Sequence, residues 1–179
     1  MTPWASSLWL PARPAQVSRP WPAPSPAGSS QARSSGDYFF AFIDRGLIPP
    51  WRPEAHAQNE AVTQAAAAAA GRLAAGGYTV VYDGMVGPWI LPTYMAATGL
   101  ARLHYVVLMP SEERCVTRVQ ARVGHGFTDI PATRHMHHQF ADAQIDRRHL
   151  VIEPPDEPEA TAAAIRERLA NGSLAHDQP

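Results

Sequence analysis

The stretch GGYTVVYDG, residues 76–84, decides the class of fold. Its five central residues, YTVVY, are all aromatic or β-branched, which is typical of a buried strand, and the Asp-Gly pair after them ends that strand. An alanine-rich segment from Pro53 to Ala75 comes directly before it. The proline suits the start of a helix, and the glycine pair at the head of the stretch suits its end. A helix that leads into a buried strand is the repeating unit of an α/β fold.

The alternation of helical segments with apolar strands continues toward the C-terminus. A second apolar run, Leu103–Met109, ends at a proline, and Ser111 is expected to begin another helix. His149–Ile152 predicts a shorter strand, and Pro158–Leu169 predicts a final helix. The sequence therefore predicts a parallel sheet covered by helices, and a length of 179 residues suits one domain.

Residues 1–36 differ in composition from the rest of the chain. They hold seven prolines and three of the five tryptophans, and they contain no acidic residue. Repeated prolines oppose both helices and central strands, so we expect a disordered or non-native segment. An organelle transit peptide is the alternative, because the segment is rich in Arg and Ser.

Charge and cysteine content narrow the class of protein further. The formal net charge is −1, and the 15 basic and 16 acidic residues are spread along the chain, which does not indicate a nucleic-acid-binding face. No apolar run approaches the roughly 20 residues that a membrane-spanning helix needs. The single cysteine, Cys115, cannot form an internal disulfide. These features predict a cytoplasmic protein with neither nucleic-acid nor membrane partners.

Two aspartates are candidates for contact with a ligand. Ligands of open α/β sheets bind at the carboxyl ends of the strands, and Asp83 comes directly after the strand Tyr78–Tyr82. The alternative is that Asp83 only caps a turn. Asp37 precedes an aromatic cluster, and on this pattern alone it is expected to be a helix N-cap.

Three arginines, Arg114, Arg118 and Arg122, recur every four residues and so share one helix face. They lead into VGHGFTD, residues 123–129, where two glycines favour a mobile loop. Arginines on a closing flap can stabilise the charge of a phosphoryl group in transfer. A solvated helix face is the alternative interpretation.

Histidines cluster in RHMHHQF, residues 134–140. The spacing of His135, His137 and His138 matches neither HExxH nor a zinc ribbon, and no cysteine is near them. We therefore predict no metal site for these residues.

Longer strings carry a family resemblance. They are DYFFAFIDRGLIPPW, PEAHAQN, GGYTVVYDGMVGPW, LHYVVLMP, RVQARVGHGFTD and RHMHHQFAD, in this order. From Asp37 to about Asn171 the chain resembles small bacterial P-loop kinases and AAA-family ATP-binding proteins related to chloramphenicol phosphotransferase and to the gluconate and shikimate kinases. The resemblance implies an α/β fold, the three-layer P-loop NTPase with a parallel sheet like that of nucleoside monophosphate kinases, incomplete at the N-terminus. It would span residues 37–172, followed by a tail at 173–179.

The resemblance also implies a function, namely an ATP-dependent phosphotransferase that acts on a hydroxyl group of a small molecule, with ATP and Mg²⁺ as cofactors. Asp37 matches the acid beside the acceptor, although the family has two adjacent acids there and this chain has Tyr38 in the second place. Arg118 and Arg122 match the lid arginines, and these three residues are the expected catalytic set. The expected substrate-binding residues are Asp83, His56, Asn59 and Trp89.

One part of the family pattern is absent. Such kinases begin with a strand followed by GxxxxGK[ST], which holds the phosphates of ATP, whereas all basic residues of this chain are arginines. When the degenerate codons for Pro11–Pro26 are read one base out of frame, they permit GTPGSGKSTVARALA, a complete phosphate-loop motif. Ser6–Leu10 treated in the same way permits an apolar strand.

Residues 1–36 are therefore interpreted as an out-of-frame Walker A region. We expect the chain in its present frame to be defective in ATP binding. The alternative is a non-catalytic remnant that binds small molecules, or a product without function.

Overall fold

The computed structural model describes residues 6–10, 31–121 and 127–178, and for residues 6–10 only the backbone. The chain is a mixed α/β protein that divides into two compact units. The N-terminal unit comprises Ser7–Tyr105 together with Ala175–Pro179, and the C-terminal unit is mainly Val106–Leu174.

Among the described residues, the N-terminal unit contains four strands, one of them without its first residue, together with three helices and the first half of a further strand, β4. In chain order these elements are β1 (Ser6–Leu10, whose first residue belongs to the other unit), β2 (Gln31–Ser35), α1 (Gly36–Phe40), a 3₁₀ turn (Pro53–Ala55), α2 (His56–Ala75), β3 (Thr79–Gly84), α3 (Leu91–Thr98), β4 (Arg102–Met109) and β6 (Ala175–Asp177). Strands β2 and β3 are parallel, the strand order is β2-β3-β1-β4, and β6 pairs with β4 in the antiparallel direction.

Helix α2 is held close to α3 by small side chains. Its buried face consists mostly of alanines, and Gly71 lies so close to the backbone of Thr98 that an added Cβ would be 2.9 Å from the Thr98 Cα. The predicted helix over Pro53–Ala75 is confirmed, with its first residues in the 3₁₀ turn. The predicted strand after it is also confirmed, as β3.

Two strands lie inside the segment for which the prolines predict none. They are β1 and β2, and neither contains a proline, because the seven prolines of residues 1–36 fall outside both strands. The prediction that this segment holds no central strand is wrong for β1, which lies between β3 and β4 in the strand order.

The C-terminal unit contains the second half of β4, three helices and strand β5. The elements after β4 are α4 (Glu112–Gln120), α5 (Ile130–Asp142), a 3₁₀ turn (Arg147–His149), β5 (Leu150–Ile152) and α6 (Pro158–Ala170). β5 is parallel to β4, with Val107 opposite Leu150. Ser111 caps α4 by accepting a hydrogen bond from the Arg114 amide, as the sequence predicts.

The core of this unit is formed by residues on the inner faces of β4, β5 and the helices, among them Val106, Cys115, Val119, Phe140 and Ile165. Helices α3 and α5 and strand β6 were not predicted. Strand β6 lies in the expected tail, where its ladder with β4 and the ion pair between Arg102 and Asp177 hold it. Among the described residues, no helix has the length and apolar character that crossing a membrane requires.

Candidate functional site

The candidate site lies in the N-terminal unit, at the carboxyl ends of β2 and β3. Ser35, the last residue of β2, pairs with Asp83, the penultimate residue of β3. Asp37 follows two residues later, in the first turn of α1. Because the strands are parallel, both aspartates lie at the same edge of the sheet, where α/β proteins bind ligands.

The N-cap interpretation of Asp37 is wrong. Ser35 occupies the N-cap position of α1, and Asp37 is inside the first turn. The helix begins as soon as β2 ends, so that no linker separates strand and helix. An acidic side chain in the first turn also interacts favourably with the helix dipole.

The carboxylates of Asp37 and Asp83 both interact electrostatically with the phenol of Tyr82. Its side chain is buried, and burial raises the pKa of the Tyr82 phenol well above its usual range, with further contributions from the carboxylates of Asp37 and Asp83. The phenol therefore stays protonated at neutral pH and can act as a hydrogen-bond donor. The ring of Tyr94 lies beside it, with ring centroids 5.0 Å apart.

Two glycines make room for the Tyr82 ring. A Cβ on Gly36 would be 2.8 Å from the Tyr82 hydroxyl oxygen, and a Cβ on Gly84 would be 2.7 Å from the Tyr82 Cε1. Both distances are below the closest approach of real Cβ atoms. The glycine that follows Asp83 thus serves the packing of a neighbouring tyrosine.

A basic residue that sequence reasoning missed also contacts the site. Arg33 on β2 has its Nη2 3.9 Å from Oδ2 of Asp83, and the Asp83 side chain is only 17% exposed. The contact depends on the pairing of β2 with β3, which has no local signal in the sequence. Screening by solvent makes such an ion pair weak, because the Arg33 side chain is 74% exposed.

The predicted substrate-binding residues of α2 lie at its N-terminal end. His56 is its first residue and is exposed, and Asn59 lies one turn further along. Asn59 Nδ2 donates a hydrogen bond to the Pro50 carbonyl at 2.7 Å, while its Oδ1 is buried without a hydrogen-bond partner among the described residues. A buried acceptor without a hydrogen-bond partner is uncommon in folded proteins.

The loop that carries Pro50 is fixed by a second side chain. Gln58 accepts a hydrogen bond from the Ile48 amide at 2.8 Å and donates one to the Ile48 carbonyl at 2.7 Å. Sequence reasoning missed Gln58, although it lies inside the PEAHAQN string. The neighbouring Trp51 is 38% exposed.

Aromatic side chains on α1, just after it, and in the segment between β3 and α3 are exposed to solvent. Trp89 is half exposed and lies against Gly87, where an added Cβ would be 2.6 Å from the Trp89 Cε2. Tyr38 and Phe42, on α1 and just after it, are more exposed still. Exposed aromatic rings are suited to contact with a small organic ligand.

The predicted lid arginines belong to the C-terminal unit. Arg118 Nη2 is 3.1 Å from Oδ1 of Asp156, and Arg114 forms ion pairs with Asp156 and, at 2.8 Å, with Glu153. The hydrogen bond from Arg114 holds the pKa of Asp156 below its usual value. Arg122 lies outside the described residues. The catalytic role of Arg118 stays a prediction.

The residues at the sheet edge suit one of the two expected cofactors, Mg²⁺ and ATP, by their chemistry. Carboxylate oxygens such as those of Asp37 and Asp83 suit Mg²⁺ and its water shell. The phosphates of ATP would need the segment after β1, and residues 11–30 lie outside the described part of the chain. Elsewhere, one described group of three side chains could hold a metal ion: Glu112, His137 and His138.

The chain was also compared with known proteins. No protein-family model matches it, and no curated protein matches it.

Proposed function

We propose that this chain is the body of a small cytoplasmic P-loop kinase, an ATP-dependent phosphotransferase that acts on a hydroxyl group of a small molecule. The observation that carries the proposal is the parallel pairing of β2 with β3, which brings Asp37 and Asp83 to one edge of the sheet. Acidic groups at the carboxyl ends of adjacent parallel strands lie where α/β proteins bind ligands and suit the binding of Mg²⁺.

The strand order supports the proposal. In the kinases that the sequence resembles, the strand before the phosphate loop lies in the middle of the sheet. Here β1 lies between β3 and β4, and the residues directly after it are Pro11–Pro26, whose displaced frame permits a phosphate-loop motif. The three-layer P-loop fold is part of the proposal.

The two aspartates take different roles in the proposed reaction. Asp37 would orient the acceptor hydroxyl and accept its proton. Asp83 would hold substrate or the water shell of Mg²⁺, which when bound offsets the charge of the phosphates. Because the Tyr82 phenol is protonated, it adds no third negative charge beside the two carboxylates. Catalysis in this class consists mainly of positioning and charge stabilisation.

Acceptor binding is assigned to the side chains around the start of α2. His56 is exposed there, and Asn59, which the resemblance assigns to the substrate, lies one turn further along the helix. Trp89 offers an exposed ring for contact with the body of the acceptor. Arg118, with Arg122, would close over the phosphates during transfer.

The composition of the chain favours a second candidate. Because the chain contains no lysine, the contact that a phosphate-loop lysine makes with ATP cannot form. A protein that keeps the acceptor site and lacks nucleotide binding would be a non-catalytic small-molecule-binding remnant.

The coding DNA provides the first test. We expect a frame displaced by one base upstream of the Asp37 codon to encode a glycine-rich loop that contains GKS or GKT. A gene that encodes neither motif in a displaced frame would remove the frameshift hypothesis.

A thermal-shift experiment provides the second test. A frame-restored variant should be stabilised by Mg-ATP, whereas the present chain should not, and stabilisation of the present chain would contradict its predicted defect. In the frame-restored background, Asp37→Asn should lower ATP-dependent phosphorylation of an acceptor panel by at least ~100-fold, the lower end for a positioned acid or base. Asp83→Asn should also lower it, because it removes the charge that would hold substrate or the water shell of Mg²⁺. Asp44→Asn, an exposed aspartate beyond α1, is the matched control and should retain activity.

A further inference from the structure

A second cluster of chemically active side chains lies in the C-terminal unit, between the start of α4 and the middle of α5. Glu112 is the first residue of α4, and His137 and His138 are neighbours in α5. Each offers one ligand atom, and these three atoms lie within 4.8 Å of one another. We propose that Glu112, His137 and His138 form a binding site for a divalent transition metal of the zinc class.

The carboxylate of Glu112 is oriented from two sides. Its Oε1 accepts a hydrogen bond from Arg134, and its Oε2 lies 2.7 Å from Nε2 of His138. The Glu112 side chain is only 17% exposed, so its position is fixed by these neighbours. A carboxylate that ligates a metal through one oxygen is usually hydrogen-bonded through the other, and Arg134 supplies that bond here.

The ring of His137 is held by a backbone carbonyl. Its Nε2 lies 3.1 Å from the Pro110 carbonyl oxygen, which can only accept a hydrogen bond. Nε2 therefore carries the proton, and the lone pair that can ligate a metal is on Nδ1. Metal-ligating histidines almost always donate their other ring N–H in this way, which fixes both the tautomer and the ring orientation.

The donor set selects the metal. Two imidazole nitrogens and one carboxylate oxygen are the ligands of open zinc sites, in which water fills the fourth position. Imidazole suits Zn²⁺, Co²⁺ and Ni²⁺, whereas Mg²⁺ prefers oxygen ligands. This site is independent of the proposed phosphotransferase activity and of the Mg²⁺ expected there.

The metal would join two helices that are separated along the chain by residues 121–129. α4 and α5 pack against each other, and Glu112 is the one ligand that belongs to α4. A bound ion would therefore tie the first turn of α4 to the middle of α5. Because the metal binds the folded site and not the unfolded chain, it would also raise the melting temperature.

The test is a Zn²⁺ titration of the full chain in competition with a chromophoric chelator, followed by the visible absorption of the Co²⁺-loaded protein. We expect one equivalent to bind to the wild type. His138→Gln and Glu112→Gln should each weaken that binding by about 10-fold or more, the effect that even loss of an indirect metal contact produces. His135→Gln, an exposed histidine of the same helix outside the cluster, should bind Zn²⁺ as the wild type does.

Folding of the variants is controlled in the same experiment. The His138 side chain is 65% exposed, so we expect His138→Gln to keep the circular dichroism spectrum of the wild type. Zn²⁺ should raise the melting temperature of the wild type and of His135→Gln, and it should leave that of His138→Gln unchanged. Absence of stoichiometric binding by the wild type, or equal affinity in the wild type and His138→Gln, would overturn the proposal.

Discussion

The hydroxyl oxygen of Tyr82 lies 2.8 Å from the position that a Cβ atom on Gly36 would occupy. The residue that joins β2 to α1 is therefore in contact with the side chain at the end of β3 that lies beside both aspartates. The ring carbon Cζ of Tyr82 would be 3.6 Å from that Cβ, which is an ordinary contact. The tight contact thus belongs to the hydroxyl alone.

This contact predicts coupling between two substitutions. Gly36→Ala should lower the free energy of unfolding by about 1–3 kcal/mol, because the added methyl group displaces the Tyr82 ring. In a Tyr82→Phe background the same substitution should cost clearly less, since the clashing oxygen is gone. Urea unfolding of the four proteins of this double-mutant cycle measures the coupling. Equal costs in both backgrounds would show that the two residues do not constrain each other.

The packing of α2 on α3 predicts an exception to helix propensity. Replacing a helical glycine with alanine normally stabilises a helix by about 1 kcal/mol. Gly71→Ala should instead destabilise the protein by about 1–3 kcal/mol, because the new Cβ meets the backbone of Thr98 and not a side chain that can turn aside. Ala68→Gly, an exposed position on the same helix, is the control and should cost only the ordinary propensity difference. A melting temperature of Gly71→Ala that is higher than that of Ala68→Gly would contradict the close approach of the helices.

Burial of two tyrosines predicts a loss of stability at high pH. Burial raises the pKa of Tyr82 and of Tyr94 well above the ordinary value, and negative neighbours add to the shift of Tyr82. A group whose pKa is higher in the folded state stabilises the fold below its unfolded pKa, and this contribution is lost as the pH rises above about 10.

The measurement is a spectrophotometric tyrosine titration combined with urea unfolding at several pH values. Tyr82 and Tyr94 should ionise only when the chain unfolds. Ionisation of all five tyrosines of the folded chain near pH 10 would show that these two are not shielded from solvent.

The ion pairs of Arg114 predict a specific change at Asp156. The hydrogen bond from Arg114 is the main cause of the lowered pKa of Asp156, and Arg118 makes a smaller contribution. Arg114→Gln should therefore raise the pKa of Asp156 toward the ordinary aspartate value. NMR titration of the Asp156 carboxyl carbon measures it, with Arg102→Gln as the control because Arg102 pairs with Asp177. A pKa of Asp156 that stays unchanged in Arg114→Gln would assign the shift to another group.

The sequence predicts elements whose signals are local. The helix Pro53–Ala75, the strands β3 and β4 and the cap at Ser111 each depend on residues within a few positions, and the structure confirms them. Helix α5 also has a local signal, the Asp129 cap followed by a proline, which was missed. By contrast, β1, β2 and β6 are short strands whose positions depend on the strands with which they pair, and no pattern within them predicts those partners.

The residues of the candidate site divide in the same way, into those with a local signal in the sequence and those that depend on distant partners. Asp83 could be selected because it follows an apolar run whose end is visible in the sequence, whereas Asp37 could be selected only from its place in the DYFFAFIDRGLIPPW string. Arg33 and Glu112 could not, because the contact of Arg33 with Asp83 needs a strand register, and that of Glu112 with His138 needs the packing of two helices. The catalytic assignment of Arg118 remains a prediction, since its described contact is with Asp156.

Gln58 gives Ile48 the two hydrogen bonds that a neighbouring backbone would give it inside a sheet. A loop without regular structure is thus tied down by one amide side chain, and the Ile48 amide proton should exchange with solvent far more slowly than its neighbours in the loop. Because both hydrogen bonds come from Gln58, replacing this one residue should remove them together. The peptide that leads to Trp51 would then lose its attachment at Ile48.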